Sequence, residues 1–174
     1  MSEPDVKSIA AKVKLMGFDV DGTLTDGGLY FGPDGETLKR FSVFDGQGLR
    51  LMMDHGIQVI WITARSSQIV AKRAADLGIY RLVQGCKTKL QAFDEVRQSL
   101  GLDWSECGFF GDDWPDFPVL KHVALACTTP TAPQSLRDVA KWVNTRPAGD
   151  GAARELCDFI LSCQPAFTNP WETD

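Results

Sequence analysis

Two hydrophobic patterns alternate along this chain. Short, nearly continuous apolar runs occupy residues 13–18, 57–62, 80–83, 106–110 and 123–127, as buried strands do. Between them lie longer stretches, 49–55, 66–77, 88–100, 114–122, 134–140 and 152–162, whose apolar positions recur every three or four residues. In 88–100, for example, Leu90, Phe93, Val96 and Leu100 fall on one side of a helix. Gly56, Gly78 and Gly101 stop three of these helices. A short edge strand is expected at 142–143. Strands alternating with helices predict an α/β fold with a doubly wound, mostly parallel sheet. Ligands in such folds sit beyond the carboxyl ends of the strands.

Residues 27–41 break this rhythm. Gly27 and Gly28 open the segment, Leu29-Tyr30-Phe31 has strand character, and Gly32-Pro33-Asp34-Gly35 is strong turn chemistry. A projecting β-hairpin follows, carrying Leu29, Tyr30, Phe31, Leu38 and Phe41. That is more apolar surface than a two-stranded hairpin hides by itself, so it is expected to pack on another subunit or back on its own domain. Asp45-Gly46-Gln47-Gly48 reads as a lead-in to the helix at 49–55, and Leu51 stands where a dinucleotide fingerprint needs its third glycine. Residues 1–12 are a polar lead-in, and 164–174, with Pro165 and Pro170, are expected to be loosely ordered.

Composition narrows the function. The 174 residues suit one domain with a sizeable core. A net charge of -5 argues against broad binding to nucleic acid or anionic membranes. The most apolar stretch, 57–64, is too short to span a bilayer, and the opening residues carry no hydrophobic signal core. The five cysteines are scattered and odd in number, which points to free thiols in a reducing cytoplasm.

The candidate chemistry gathers at the predicted strand ends. The first strand runs into Asp19-Val20-Asp21-Gly22, whose two carboxylates can reach one point beyond the sheet. Like charges held that close call for a divalent cation, and hard cations take oxygen ligands; a solvated Asp-Gly turn is the plainer reading. Thr63 and Arg65 follow the second core strand, Asp112 and Asp113 a later one, and Lys89 opens a helix. Singly, Thr63 caps a helix, Lys89 is a surface lysine and the acidic pair is a turn. Together they supply the nucleophile, charge neutralisation and donors that phosphoryl transfer requires. A signalling receiver domain uses similar residues, but its acceptor aspartate lies on a later strand. A non-catalytic phospho-acceptor or binding module is the remaining alternative.

The residues DVDGTLTD at 19–26, Thr63, Lys89 and GDD at 111–113 resemble, in order, the four motifs of the haloacid dehalogenase (HAD) superfamily. The stretches 26–50, 84–90, 111–120 and 151–161 are similar to the 3-deoxy-D-manno-octulosonate (KDO) 8-phosphate phosphatases, which belong to a capless branch of that superfamily. The resemblance implies that Asp19 attacks phosphorus and Asp21 acts as acid and then base. It implies that Thr63 and Lys89 hold phosphoryl oxygens and Arg65 faces the sugar acid. Mg²⁺ would be held by Asp19, Asp112 and the backbone carbonyl of Asp21, with Asp113 supporting. It also implies a homotetramer in which hairpins meet at the centre, and a role in lipopolysaccharide biosynthesis. Two positions depart from the family pattern: Ala64 replaces a glycine, and Asp150 replaces the arginine of a Gly-Gly-Arg-Gly run. The second leaves a nonulosonic acid 9-phosphate as the alternative substrate.

Overall fold

The computed structural model describes residues 5–165 and 167–170. In chain order its strands are β1 (Leu15–Phe18), β2 (Tyr30–Gly32), β3 (Gly35–Leu38), β4 (Gln58–Ile62), β5 (Arg81–Val83), β6 (Cys107–Phe110), β7 (Leu125–Thr128) and β8 (Trp142–Val143). Its helices are α1 (Val6–Ala10), α2 (Val43–Asp54), α3 (Gln68–Leu77), α4 (Lys89–Ser99), α5 (Phe117–Leu120), α6 (Gln134–Val139) and α7 (Ala152–Cys163). A six-stranded sheet has the order β5-β4-β1-β6-β7-β8, with every neighbouring pair parallel. Part of the expected loose tail, at 166 and 171–174, lies outside the described residues.

Side-chain alternation divides the core into two layers. Met16, Phe18, Val59, Trp61, Phe110, Leu125 and Cys127 face one cluster, with Leu49 and Met52 of α2, Val70 of α3 and Leu156 and Ile160 of α7. Leu15, Ile60, Ile62, Phe109 and Ala126 face the other, with Phe93 and Val96 of α4, Val119 of α5 and Leu136 of α6. A sheet covered on both faces has room only for the nearly unbroken apolar runs seen in the sequence. The strand order reverses between β1 and β6, and the carboxyl edge at such a switch point is where ligands bind in these sheets.

The main local departure from expectation is α2, which begins at Val43 rather than near 49. The Ser42 side chain accepts a hydrogen bond from the Asp45 N–H and caps it. The two glycines that suggested a loop are packing residues. A Cβ on Gly46 would lie 2.5 Å from Arg73 Nη2, and one on Gly48 would lie 3.1 Å from Cys157 Cβ. Close approach of α3 and α7 offsets the glycines' poor helix propensity. The Asp45 carboxylate then accepts the Arg154 N–H at 2.8 Å and the Gly151 N–H at 3.4 Å, satisfying two donors at the start of α7.

The hairpin β2–β3 stands apart from the main sheet. Phe41 folds inward and stacks on Trp61 with ring centroids 6.0 Å apart. Leu29, Tyr30, Phe31 and Leu38 stay exposed, joined by Val43 and Phe44 at the start of α2. Among the described residues no helix is long and apolar enough to cross a membrane.

Candidate active site

Asp19 follows β1, and its backbone N–H donates to the Phe110 carbonyl at 2.9 Å, continuing the β1–β6 ladder by one step. Alternation turns its side chain toward α4, whose first residue is Lys89. Lys89 Nζ lies 2.6 Å from Asp19 Oδ1 and 2.6 Å from Asp116 Oδ1. Carboxylate oxygens of Asp19, Asp112 and Asp116 all lie within 4.8 Å of one another.

Asp112 is fixed by the Thr23 hydroxyl, which donates to its Oδ1 at 2.6 Å. Gly22 crosses above it with φ of 89°, and a Cβ there would lie 2.3 Å from Asp112 Oδ2. Only glycine combines that backbone with that clearance. Asp116 Oδ2 accepts the N–H groups of Asp112 at 3.0 Å and Asp113 at 3.3 Å. A Cβ on Gly111 would sit 2.3 Å from the Asp116 carboxyl carbon, so the loop after β6 closes tightly around that acid.

The electrostatics are unbalanced. Burial and the charge of Asp116 push Asp19 up to about 8 despite Lys89. Burial likewise pushes Asp112 up to about 6 and Asp116 above the usual carboxylate range. Lys89 is raised: burial works against its charge, but Asp19 and Asp116 outweigh it. When all are ionised, three carboxylates and one ammonium leave a formal charge of -2 at this edge of the sheet. A divalent cation matches both that charge and the all-oxygen donor set, and Mg²⁺ takes such carboxylates readily.

Asp21 lies to one side of this cluster. Its Oδ2 accepts from the Thr63 hydroxyl at 3.3 Å, and its Oδ1 pairs with Lys39 Nζ. Thr63 also accepts the Arg65 N–H at 3.2 Å. Arg65 Nε lies 4.0 Å from Asp21 Oδ2, and Arg65 Nη2 lies 3.4 Å from Glu36 Oε1. Its side chain is 40% exposed, with its guanidinium 6.0 Å from the centre of the Phe31 ring.

The structure thus brings Asp19, Asp21, Thr63, Arg65, Lys89 and Asp112 to one edge of the sheet. Asp113 differs from expectation. It is exposed, and its carboxylate accepts the Trp114 N–H at 2.8 Å as the cap of a 3-10 turn. Asp116 is instead the acid that meets Lys89 and the backbone N–H groups of Asp112 and Asp113. The Asp21 carboxylate is not a member of the three-acid cluster. Sequence reasoning also missed Lys39 and Glu36. The departure at Asp150 has a local counterweight: Arg40 Nη2 lies 3.0 Å from its carboxylate, and Arg40 Nη1 donates to the Gly149 carbonyl at 3.0 Å.

No family model matches the chain. It is 39% identical over 161 residues to the KDO 8-phosphate phosphatase of Salmonella typhimurium, across 92% of this chain and 86% of that protein. The structure of the KDO 8-phosphate phosphatase from Moraxella catarrhalis contains a magnesium ion, a phosphate ion and KDO. It matches with a TM-score of 0.90 and 36% identity over 93% of each chain. A Legionella pneumophila structure, described as a HAD superfamily hydrolase of subfamily III A, matches with a TM-score of 0.89 and 39% identity. It covers 92% of this chain and 88% of that one. Identity at this level over nearly the whole length, on the same sheet, places the chain in the HAD superfamily, where it belongs to the family of KDO 8-phosphate phosphatases.

Proposed function

We propose that this chain is a Mg²⁺-dependent phosphatase that hydrolyses KDO 8-phosphate to KDO and phosphate. The observation that carries this reading is the Asp19–Lys89–Asp116–Asp112 cluster at the switch point of a sheet shared with the family. Asp19, Asp112 and the backbone carbonyl of Asp21 would hold the cation, with Asp116 supporting. When bound, Mg²⁺ neutralises phosphoryl oxygens and lets the anionic nucleophile approach the anionic ester.

The chain's own groups do the rest. An Asp19 carboxylate oxygen attacks phosphorus as the bond to the sugar oxygen breaks, forming an aspartyl-phosphate. Asp21 gives its proton to the departing oxygen and then takes one from the water that attacks the acyl phosphate. Phosphate leaves and Asp19 is regenerated. Lys89 and the Thr63 hydroxyl hold the equatorial oxygens, and Arg65 offers its guanidinium to the sugar-acid carboxylate.

The same reading covers setting and assembly. KDO release supplies lipopolysaccharide biosynthesis. The five cysteines are all free, which suits the cytoplasm. The exposed Leu29, Tyr30, Phe31 and Leu38 on the hairpin suit a homotetramer with hairpins at its centre.

The test is phosphate release with Mg²⁺ from KDO 8-phosphate, a nonulosonic acid 9-phosphate and p-nitrophenyl phosphate. The expected result is a strong preference in kcat/KM for KDO 8-phosphate. Preference for the 9-phosphate overturns the substrate, and absence of turnover on all three overturns the enzyme.

A further inference from the structure

The hairpin carries a buried cation that the phosphatase motifs do not account for. Lys39 follows β3 directly, and its side chain is only 1% exposed. Its ammonium group pairs with Asp21 Oδ1 and lies 2.8 Å from Glu36 Oε1. Glu36 is anchored in turn: the Ser67 hydroxyl donates to its Oε2, and Arg65 lies against its Oε1. A polar chain therefore runs from the start of α3 through the hairpin to Asp21. Enclosing a lysine is costly unless both charge and hydrogen bonds are answered, and here two carboxylates answer them.

This arrangement constrains Asp21 in a specific way. An ammonium group has three donors and no acceptor. The oxygen facing Lys39 is therefore held as an acceptor. The other oxygen, Oδ2, accepts from the Thr63 hydroxyl at 3.3 Å and is the one the hairpin leaves unengaged. We propose that Lys39 is a positioning residue for the phosphatase reaction proposed above: by occupying Oδ1 from the hairpin, it fixes the Asp21 carboxyl so that Oδ2 is the oxygen that serves the leaving group. The inference rests on Asp21 being the acid, as assigned above.

Leaving-group chemistry separates this role from a structural one. A sugar alkoxide cannot depart without a proton, whereas p-nitrophenolate can. Single-turnover release of KDO and of p-nitrophenol is compared in wild type, Lys39→Met and an Asp21→Asn control, with enzyme in excess and Mg²⁺ present. Lys39→Met should slow KDO release by about 10²-fold, the lower range of general-acid catalysis, while p-nitrophenol release stays within about 5-fold of wild type. The retained p-nitrophenol burst also reports that the variant is folded. Glu36→Gln, which loosens Lys39 without touching Asp21, should show a smaller loss in the same direction.

Equal losses on both substrates overturn the proposal, because they indicate a structural role. A raised substrate dissociation constant with an unchanged rate also overturns it, because Lys39 would then be a substrate ligand. If Asp21→Asn shows no difference between leaving groups, the underlying acid assignment fails. If that control shows the difference and Lys39→Met does not, only the role of Lys39 fails.

Discussion

Lys89 Nζ and Asp116 Oδ1 are 2.6 Å apart, with side chains only 4% and 1% exposed. The same Asp116 carboxylate accepts two backbone N–H groups from the loop that carries Asp112. It therefore fixes both the cation that faces Asp19 and the backbone of a second acid. Asp116→Ala should lower stability by about 1–3 kcal/mol, because it removes the acceptor of two backbone N–H groups while Lys89 keeps Asp19. It should also lower kcat by about 10²-fold or more, as loss of a preorganised charge does. Asp113→Ala should cost about 1 kcal/mol through the lost cap and keep kcat within a few-fold. Melting curves and phosphate release for the two variants check the contrast, and equal losses would contradict this placement of the acids.

The acidic cluster also sets a pH dependence for the metal-free protein. Folding raises Asp19 from 3.8 to about 8 and Asp112 from 3.8 to about 6. Between those limits the folded state holds protons that the unfolded chain has released. Stability therefore falls as pH rises through this window, being greatest for these groups below 3.8 and lost through about 8. Mg²⁺ removes the source of the penalty, so its stabilising effect should be larger at pH 8 than at pH 5. Thermal melts with a chelator and with Mg²⁺ across that range measure it. Asp19→Asn should flatten the chelator curve and reduce turnover by at least about 10³-fold.

Glu155 contributes with the opposite sign. Burial raises its carboxyl, but the Arg146 N–H, the Thr145 hydroxyl and the Thr145 N–H more than offset this and hold it below its ordinary 4.5. This contribution is present above pH 4.5 and is lost as pH falls through the folded value. Glu155→Gln should therefore be less stable than wild type at pH 7, and the gap should close on acidification below pH 4.5. A gap that stays constant from pH 7 to pH 3 would show that packing, not charge, makes the difference.

The extent to which the site was legible in the sequence follows from how each residue is positioned. Asp19, Thr63 and Asp112 lie just beyond apolar runs, and a parallel sheet aligns such ends without further information. Lys89 opens a helix whose stripe was plain in Leu90, Phe93 and Val96. Asp116 lies inside a short, proline-interrupted helix, where an acid has many ordinary explanations. Its only sequence signal was the capping-box spacing from Asp113. Lys39 was hidden for a different reason. Its partner Asp21 lies 18 residues away, and their meeting depends on how the hairpin returns, which apolar periodicity does not encode. Gly46 and Gly48 were misleading because their local preference for loops is overridden by contacts with α3 and α7, elements made later.

The central place of β1 also has a temporal side. It pairs with β4 on one edge and β6 on the other, so the first strand synthesised has one neighbour that arrives late. Ribosomes add roughly 5–20 residues each second, so the roughly 90 residues between β1 and β6 take about 5–20 s to emerge. Until β6 emerges, the edge of Leu15–Phe18 that pairs with it in the folded sheet lacks that neighbour. The same late arrival delivers Asp112 and Asp116. The nascent chain thus carries Asp19 before it has the strand that seats it or the acids that complete its cation site.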